Sequence, residues 1–211
     1  MLNTKIKASQ ISNLTDARYF AAWMIDWMGF CLDEKADHRV TPELLHAIRD
    51  WVEGPVIVGE FGEQEPEYVR EAVNFLKLDA VQIDDFYDKE RLEQLEGISV
   101  IREILVDKNT SKDLLQTCEN LAPYIQHFLL DCRTNNINWQ TIKNSEPDLK
   151  ILQQICSNYP IILSMDIKGD EVHEVMDTLK PEGLNVFGGA EEKVGFKSYD
   201  ELDELFEELE D

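Results

Sequence analysis

The run Phe128-Leu129-Leu130-Asp131 is apolar and strand-like in length until it ends in a carboxylate, after which the polar stretch Cys132 to Asn138 begins. If the run is a buried parallel strand, its carboxyl end is where an α/β barrel keeps its reacting groups, and Asp131 stands ready for proton transfer. The same residue also suits the start of a turn, because an Asp side chain accepts readily from the backbone just after it. Other acids fall at or just past the ends of comparable runs: Glu60, Asp84, Asp85 and Asp166. Carboxylates converging on one concave face raise one another's pKa or are stabilised together by a cation, so a hard divalent metal or a cationic ligand is the chemistry they would support. As loop caps pointing into water they would do neither. His38, His46, His127 and His173 are dispersed, with none at ligand spacing beside these acids, so no metal site and no cofactor is expected.

Such groups need elements to carry them. Short apolar or alternating runs recur at Thr4 to Ser9, Trp27 to Cys31, Pro55 to Phe61, Ala80 to Ile83, Ser99 to Val106, His127 to Asp131, Pro160 to Met165 and Leu184 to Phe187. Between them lie stretches of helical periodicity, the pattern of repeated βα units around a parallel sheet. Thr41-Pro42-Glu43 places a capping hydroxyl before a proline at the first helical position, and Glu65-Pro66-Glu67 repeats the device with a carboxylate. Ser198 to Leu209 carries Leu202, Leu205, Phe206 and Leu209 at helical spacing, the stripe that a last barrel helix must bury. Eight such units in 211 residues leave only short loops. The expectation is one (β/α)8 TIM barrel over residues 1–211, and the lack of a Gly-x-Gly-x-x-Gly run after the first strand weakens a dinucleotide-binding alternative.

Forty-three acidic against twenty basic side chains give a formal charge of -23, which repels nucleic acid and anionic membranes. Cys31, Cys118, Cys132 and Cys156 form no Cys-x-x-Cys pair and read as reduced cytosolic thiols. Neither a signal peptide nor a run able to span a bilayer is apparent, so a cytoplasmic, soluble protein is expected. No hydrophobic patch for a dimer stands out, which makes a monomer with a small-molecule ligand the default.

Several segments in order resemble the phosphoribosylanthranilate isomerase family, small barrels that catalyse an Amadori rearrangement in tryptophan synthesis. Lys7-Ala8-Ser9-Gln10-Ile11-Ser12 stands where the family carries Lys-Ile-Cys-Gly-Ile-Thr, and Thr15-Asp16-Ala17 replaces its Glu-Asp-Ala. Met28-Gly29-Phe30, His38-Arg39-Val40, Leu78-Asp79-Ala80-Val81-Gln82-Ile83 and Phe128-Leu129-Leu130-Asp131 match its second strand, its Ser-Pro-Arg-x-Val, its fourth strand and its sixth. The resemblance implies a general base at Ser9, a general acid at Asp131, a substrate carboxylate on Arg39, and further substrate contacts from Gln82, Gly188 and Gly189.

The same resemblance exposes departures. The family's base is a cysteine, whose reference pKa is about 8.5; a serine hydroxyl is far less acidic. Lys7, two residues back on the same strand face, could assist it or serve structure alone. The family's phosphate-binding Gly-Gly after strand seven is Met165-Asp166, its Ser-Ser-Gly on strand eight is Phe187-Gly188-Gly189, and its loop after strand six is Arg133 to Asn138. Gly188-Gly189 could still form an amide nest, with Arg133 or Lys168 adding charge. Two readings therefore stand: an isomerase of this type, impaired or retuned, or a non-catalytic ligand-binding or regulatory barrel related to it.

Overall fold

The structure is a computed structural model that describes residues 2–107, 111–188, 190–193 and 196–210. Among them, eight parallel strands close into a barrel: β1 (Lys5–Ser9), β2 (Trp27–Cys31), β3 (Val56–Glu60), β4 (Ala80–Ile83), β5 (Val100–Leu105), β6 (His127–Asp131), β7 (Ile161–Ser164) and β8 (Gly183–Phe187). The ring is sealed by β1 against β8, with Ser9 opposite Phe187. Helices α1 (Leu14–Ala22), α2 (Pro42–Arg49), α3 (Pro66–Leu76), α4 (Lys89–Glu93), α5 (Ser111–Leu121), α6 (Trp139–Lys143), α7 (Glu146–Asn158), α8 (Gly169–Leu179) and α9 (Asp200–Glu208) lie between and after them.

The period of two along each strand divides the side chains into two populations. Ile6, Met28, Ile57, Val81, Ile104, Leu130, Leu163 and Val186 face outward and pack with the helices in the main core. Inward, Trp27, Val58, Ala80, Ile101, Leu129 and Ile162 form a separate apolar plug. Two residues further along the same strands the inner face turns polar, with Glu60, Gln82, Glu103, Asp131 and Ser164 above the plug. The plug makes this a floor and confines the polar layer to the carboxyl mouth.

Helix starts obey local chemistry. Asn13 accepts from the Asp16 N–H at 2.9 Å, and the Thr41 hydroxyl accepts from the Leu44 N–H at 3.3 Å. Glu65 does not act as the expected cap: it makes no side-chain cap bond, and its carboxylate instead reaches to 3.8 Å from Arg91. Its extra methylene carries the oxygens past the N–H groups that a shorter side chain would meet. In α9, Leu205 and Phe206 are buried, with the Phe206 ring 5.2 Å from that of Trp23. The helix starts at Asp200 rather than Ser198, because a hairpin of β9 (Ala190–Lys193) and β10 (Phe196–Ser198) occupies the segment before it. No helix among the described residues is long and apolar enough to cross a membrane.

Candidate active site

The mouth has two unlike halves. On one side a continuous chain of hydrogen bonds runs through the side chains of β7, β8, β1 and β3. Asn185 donates to Ser164 Oγ at 3.2 Å, Ser9 donates to Asn185 Oδ1 at 2.8 Å, and Lys7 Nζ donates to Ser9 Oγ at 2.5 Å and to Glu60 Oε1 at 2.6 Å. The second Glu60 oxygen accepts from the Gln10 N–H at 3.0 Å. Lys7 is fully buried. Gly29 makes the pair possible, since a Cβ there would lie 2.0 Å from Glu60 Oε1 and 2.9 Å from Lys7 Nζ. Gln10 is left-handed, at φ 57°, where the resembled family has glycine.

This geometry decides what Ser9 can do. Its proton is engaged with Asn185, its lone pair is engaged with Lys7, and the ammonium that would have stabilised an alkoxide is neutralised by Glu60. Ser9 is thus a link in a satisfied network, and among the described residues it has no partner able to take its proton. No thiol among the described residues takes its place, because burial pushes Cys31 up, and Cys118, Cys132 and Cys156 up to about 12.

The other half comprises β4, β5 and β6. Asp131 is buried, and its Oδ1 accepts from the N–H groups of Arg133 and Thr134 at 2.9 and 3.1 Å. Asp131 thus shapes the turn with one oxygen, and the alternation along β6 places it on the inner face. Glu103, half-buried on the same face, accepts from Gln82 Nε2 at 2.7 Å. Burial pushes its carboxyl up to about 7; the charges of Glu60 and Asp131 add to the rise, while the Gln82 bond and Lys7 oppose it. Gln82 Oε1 is buried and has no partner among the described residues. Glu103 is absent from the sequence candidates, although the alternation Ile101, Glu103, Leu105 places it beside them on one face; its position inside a strand, not at the end, hides it.

The other expected residues disperse. Asp84 accepts from the Phe86 N–H at 3.0 Å, and its carboxyl is pushed up by burial and by Asp85 while Arg102 opposes the shift. It belongs to the loop after β4, because the strand ends at Ile83 and the alternation stops with it. Asp166 is exposed and pairs with Arg133 at 2.8 Å, while the guanidinium lies over the Phe187 ring at 4.3 Å. Arg39 sits 3.7 Å from Glu34, in a groove with Leu32, Val40, Pro42 and Tyr68. Gly188 lies against the buried Asp16, whose carboxylate a Cβ would meet at 2.8 Å; Gly189 is outside the described residues. Asp16 accepts from Lys197 at 2.5 Å and Tyr199 at 2.6 Å, which ties the hairpin and the residue preceding α9 to α1. Among the described residues no group of acids, His and Cys is arranged to hold a metal ion.

Comparison with known proteins gives relatives along almost the whole chain. Residues 6–208 match the family model described as N-(5'-phosphoribosyl)anthranilate (PRA) isomerase. The chain is 26% identical to an N-(5'-phosphoribosyl)anthranilate isomerase of Chlorobium luteolum, over 94% of each chain. The crystal structure of the phosphoribosyl anthranilate isomerase of Thermus thermophilus superposes with a TM-score of 0.76 at 26% identity, covering 97% of this chain and 98% of that one. A second solved isomerase, in complex with reduced 1-(o-carboxyphenylamino)-1-deoxyribulose 5-phosphate, gives a TM-score of 0.74 at 23% identity with 98% of each chain covered.

Proposed function

Given that this chain belongs to the N-(5'-phosphoribosyl)anthranilate isomerase family, we propose that it catalyses the Amadori class of reaction, an aldosylamine becoming a 1-amino-1-deoxyketose, with Glu103 and Asp131 as the proton-transfer pair. The observation that carries this reading is the Glu103 carboxyl, pushed up to about 7 on the same inner face as Asp131. A carboxyl that titrates near neutrality both takes and gives a proton at low cost, which is what an acid-base group requires. Glu103, which holds a proton near neutrality, donates it to the sugar ring oxygen as the C1–O bond opens, and the nitrogen lone pair forms the iminium. The Asp131 carboxylate accepts the C2 proton, and the C–H electrons move into the iminium to give the enolamine, which tautomerises to the ketose. One proton leaves the pair and one returns; C2 is oxidised as C1 is reduced, so no external oxidant enters.

Phosphoribosylanthranilate itself is a poor substrate in this reading. The base position is occupied by the immobilised Ser9, and Met165-Asp166 stands where the family carries its phosphate-binding glycine pair. Turnover by the purified protein should fall on the order of 100- to 10,000-fold below an ordinary family member. Ser9→Cys should recover little of it, and Glu103→Gln should remove most of what remains. Full-rate turnover, or a rate indifferent to Glu103→Gln, overturns the assignment. A second reading, a ligand-binding barrel without turnover, is favoured by the closed chain from Ser164 to Glu60; complete inactivity toward aldosylamines with and without phosphate would select it.

A further inference from the structure

We infer that Gln82 is the positioning residue of this site: its side-chain amide holds the Glu103 carboxyl in either protonation state, donating to the carboxylate and, turned over, accepting from the acid. The inference rests on Glu103 being the proton-transfer group proposed above and adds what governs it. Gln82 pairs in register with Ile101, so Glu103 lies two residues further along the neighbouring strand. The two side chains bridge that diagonal, with Gln82 Nε2 2.7 Å from the Glu103 oxygen. Among the described residues this is the one hydrogen bond of the Glu103 side chain. Gln82 is only 7% exposed, so it acts on a reacting molecule through its neighbour.

The surroundings decide what that bond does. The charged groups felt by Glu103 are Glu60 on β3, Asp131 on β6, Lys7 on β1 and Arg102 beside it on β5. Lys7 is already bonded to Glu60 and Ser9. When Glu103 gives up its proton, the carboxylate left behind is repelled by Glu60 and Asp131, and the amide N–H is the neutral donor that offsets this. A hydrogen bond to a charged acceptor is stronger than one between neutral groups, so Gln82 favours proton release. Once reprotonated, Glu103 has an O–H to place, and the amide turned about its last torsion presents the oxygen that accepts it. Among the described residues Oε1 has no other partner, so turning the amide breaks no second bond. A side chain that only donated or only accepted would serve one state of Glu103 and leave the other unbonded.

The test is a pH titration of the isotope-labelled full chain by NMR, following the Glu103 carboxyl carbon and the Gln82 side-chain amide. In the unmodified protein the amide signals should titrate in step with Glu103, and Glu103→Gln should remove that titration. Gln82→Met, of similar length but without an N–H, should move the Glu103 midpoint to higher pH, because the carboxylate loses its donor. Where an aldosylamine is turned over, the alkaline limb of the pH–rate profile should move the same way, since Glu103 acts as an acid. An amide indifferent to pH, or a Glu103 midpoint unmoved or lowered by Gln82→Met, overturns the inference; the first of these is read without any variant. Turnover that depends on Glu103 beside an indifferent amide overturns the inference and leaves the reaction standing. Coupled titration of Gln82 and Glu103 without turnover of any aldosylamine would instead sink the proposed reaction and leave the hold of Gln82 on Glu103 in place.

Discussion

The two halves of the mouth are built from the same strand alternation and have opposite electrostatic character. From β7 round to β3 every polar atom of the Ser164–Asn185–Ser9–Lys7–Glu60 chain meets a partner, and the charges cancel in one ion pair. From β4 to β6 a carboxyl carries a displaced pKa, and an amide oxygen has no partner among the described residues. The difference teaches that a buried polar residue is evidence of chemistry only when its bonding capacity is unspent. Ser9 and Lys7 stand at the family's base, yet each is bonded within the network. Unspent capacity lies across the mouth, at Glu103 and Gln82.

The largest effect should come from breaking the satisfied half. Glu60→Ala strands the Lys7 ammonium in a fully buried site and should cost about 3 to 5 kcal/mol, read by denaturant unfolding. Replacing both, as Lys7→Met with Glu60→Leu, should recover most of that loss, because the desolvation of two charges is removed along with their attraction. If the single substitution is nearly neutral, this half is not a locked network.

The next effect belongs to the unspent half and has a pH signature. The folded-state pKa of Glu103, about 7, is above its ordinary 4.5, so between those values the folded protein holds a proton that the unfolded chain has lost. Stability therefore falls as pH rises from about 4.5 to 7. Glu103→Gln should abolish that slope, matching the unmodified protein at pH 4 and exceeding it at pH 8 by up to about 3 kcal/mol. Parallel pH profiles for the two proteins would remove the contrast between the halves.

The smallest effect sharpens the comparison at its edge. Gln10 holds a left-handed backbone at φ 57° so that its N–H reaches Glu60. Gln10→Gly should relieve the steric cost while adding chain entropy to the unfolded state, for a net gain of about 0.5 to 1 kcal/mol in thermal unfolding. A loss would mean that the Gln10 side chain itself supports the network.

The barrel was legible in the sequence because each strand is an apolar run whose length and spacing carry the βα rhythm without tertiary help. Asp131 was legible for the same reason, being the residue at which such a run stops. The hairpin at 190–198 was not: Ala190-Glu191-Glu192-Lys193 has neither apolar alternation nor a strong turn pair, and the segment is anchored by contacts of Lys197 and Tyr199 to a residue far away in the chain. Asp84 and Asp166 follow strand ends, and sequence marks where a strand ends but not which way the next side chain turns. Glu103 shows the converse: its direction was readable from alternation, whereas its displaced titration depends on Glu60 and Asp131, which only closure of the ring brings near it.

The clasp around Asp16 bears on how the chain is made. Lys197 and Tyr199 come 181 and 183 residues after that carboxylate, so it leaves the ribosome long before they do. Until they emerge, the buried position it will occupy offers its charge the Asn13 amide at 2.7 Å but not the Lys197 ammonium, and burying a carboxylate without its counter-charge is unfavourable. The first helix accordingly waits for the last segment, and a nascent chain stopped short of Tyr199 should remain open to proteases at its amino end, however many of its strands have already been synthesised.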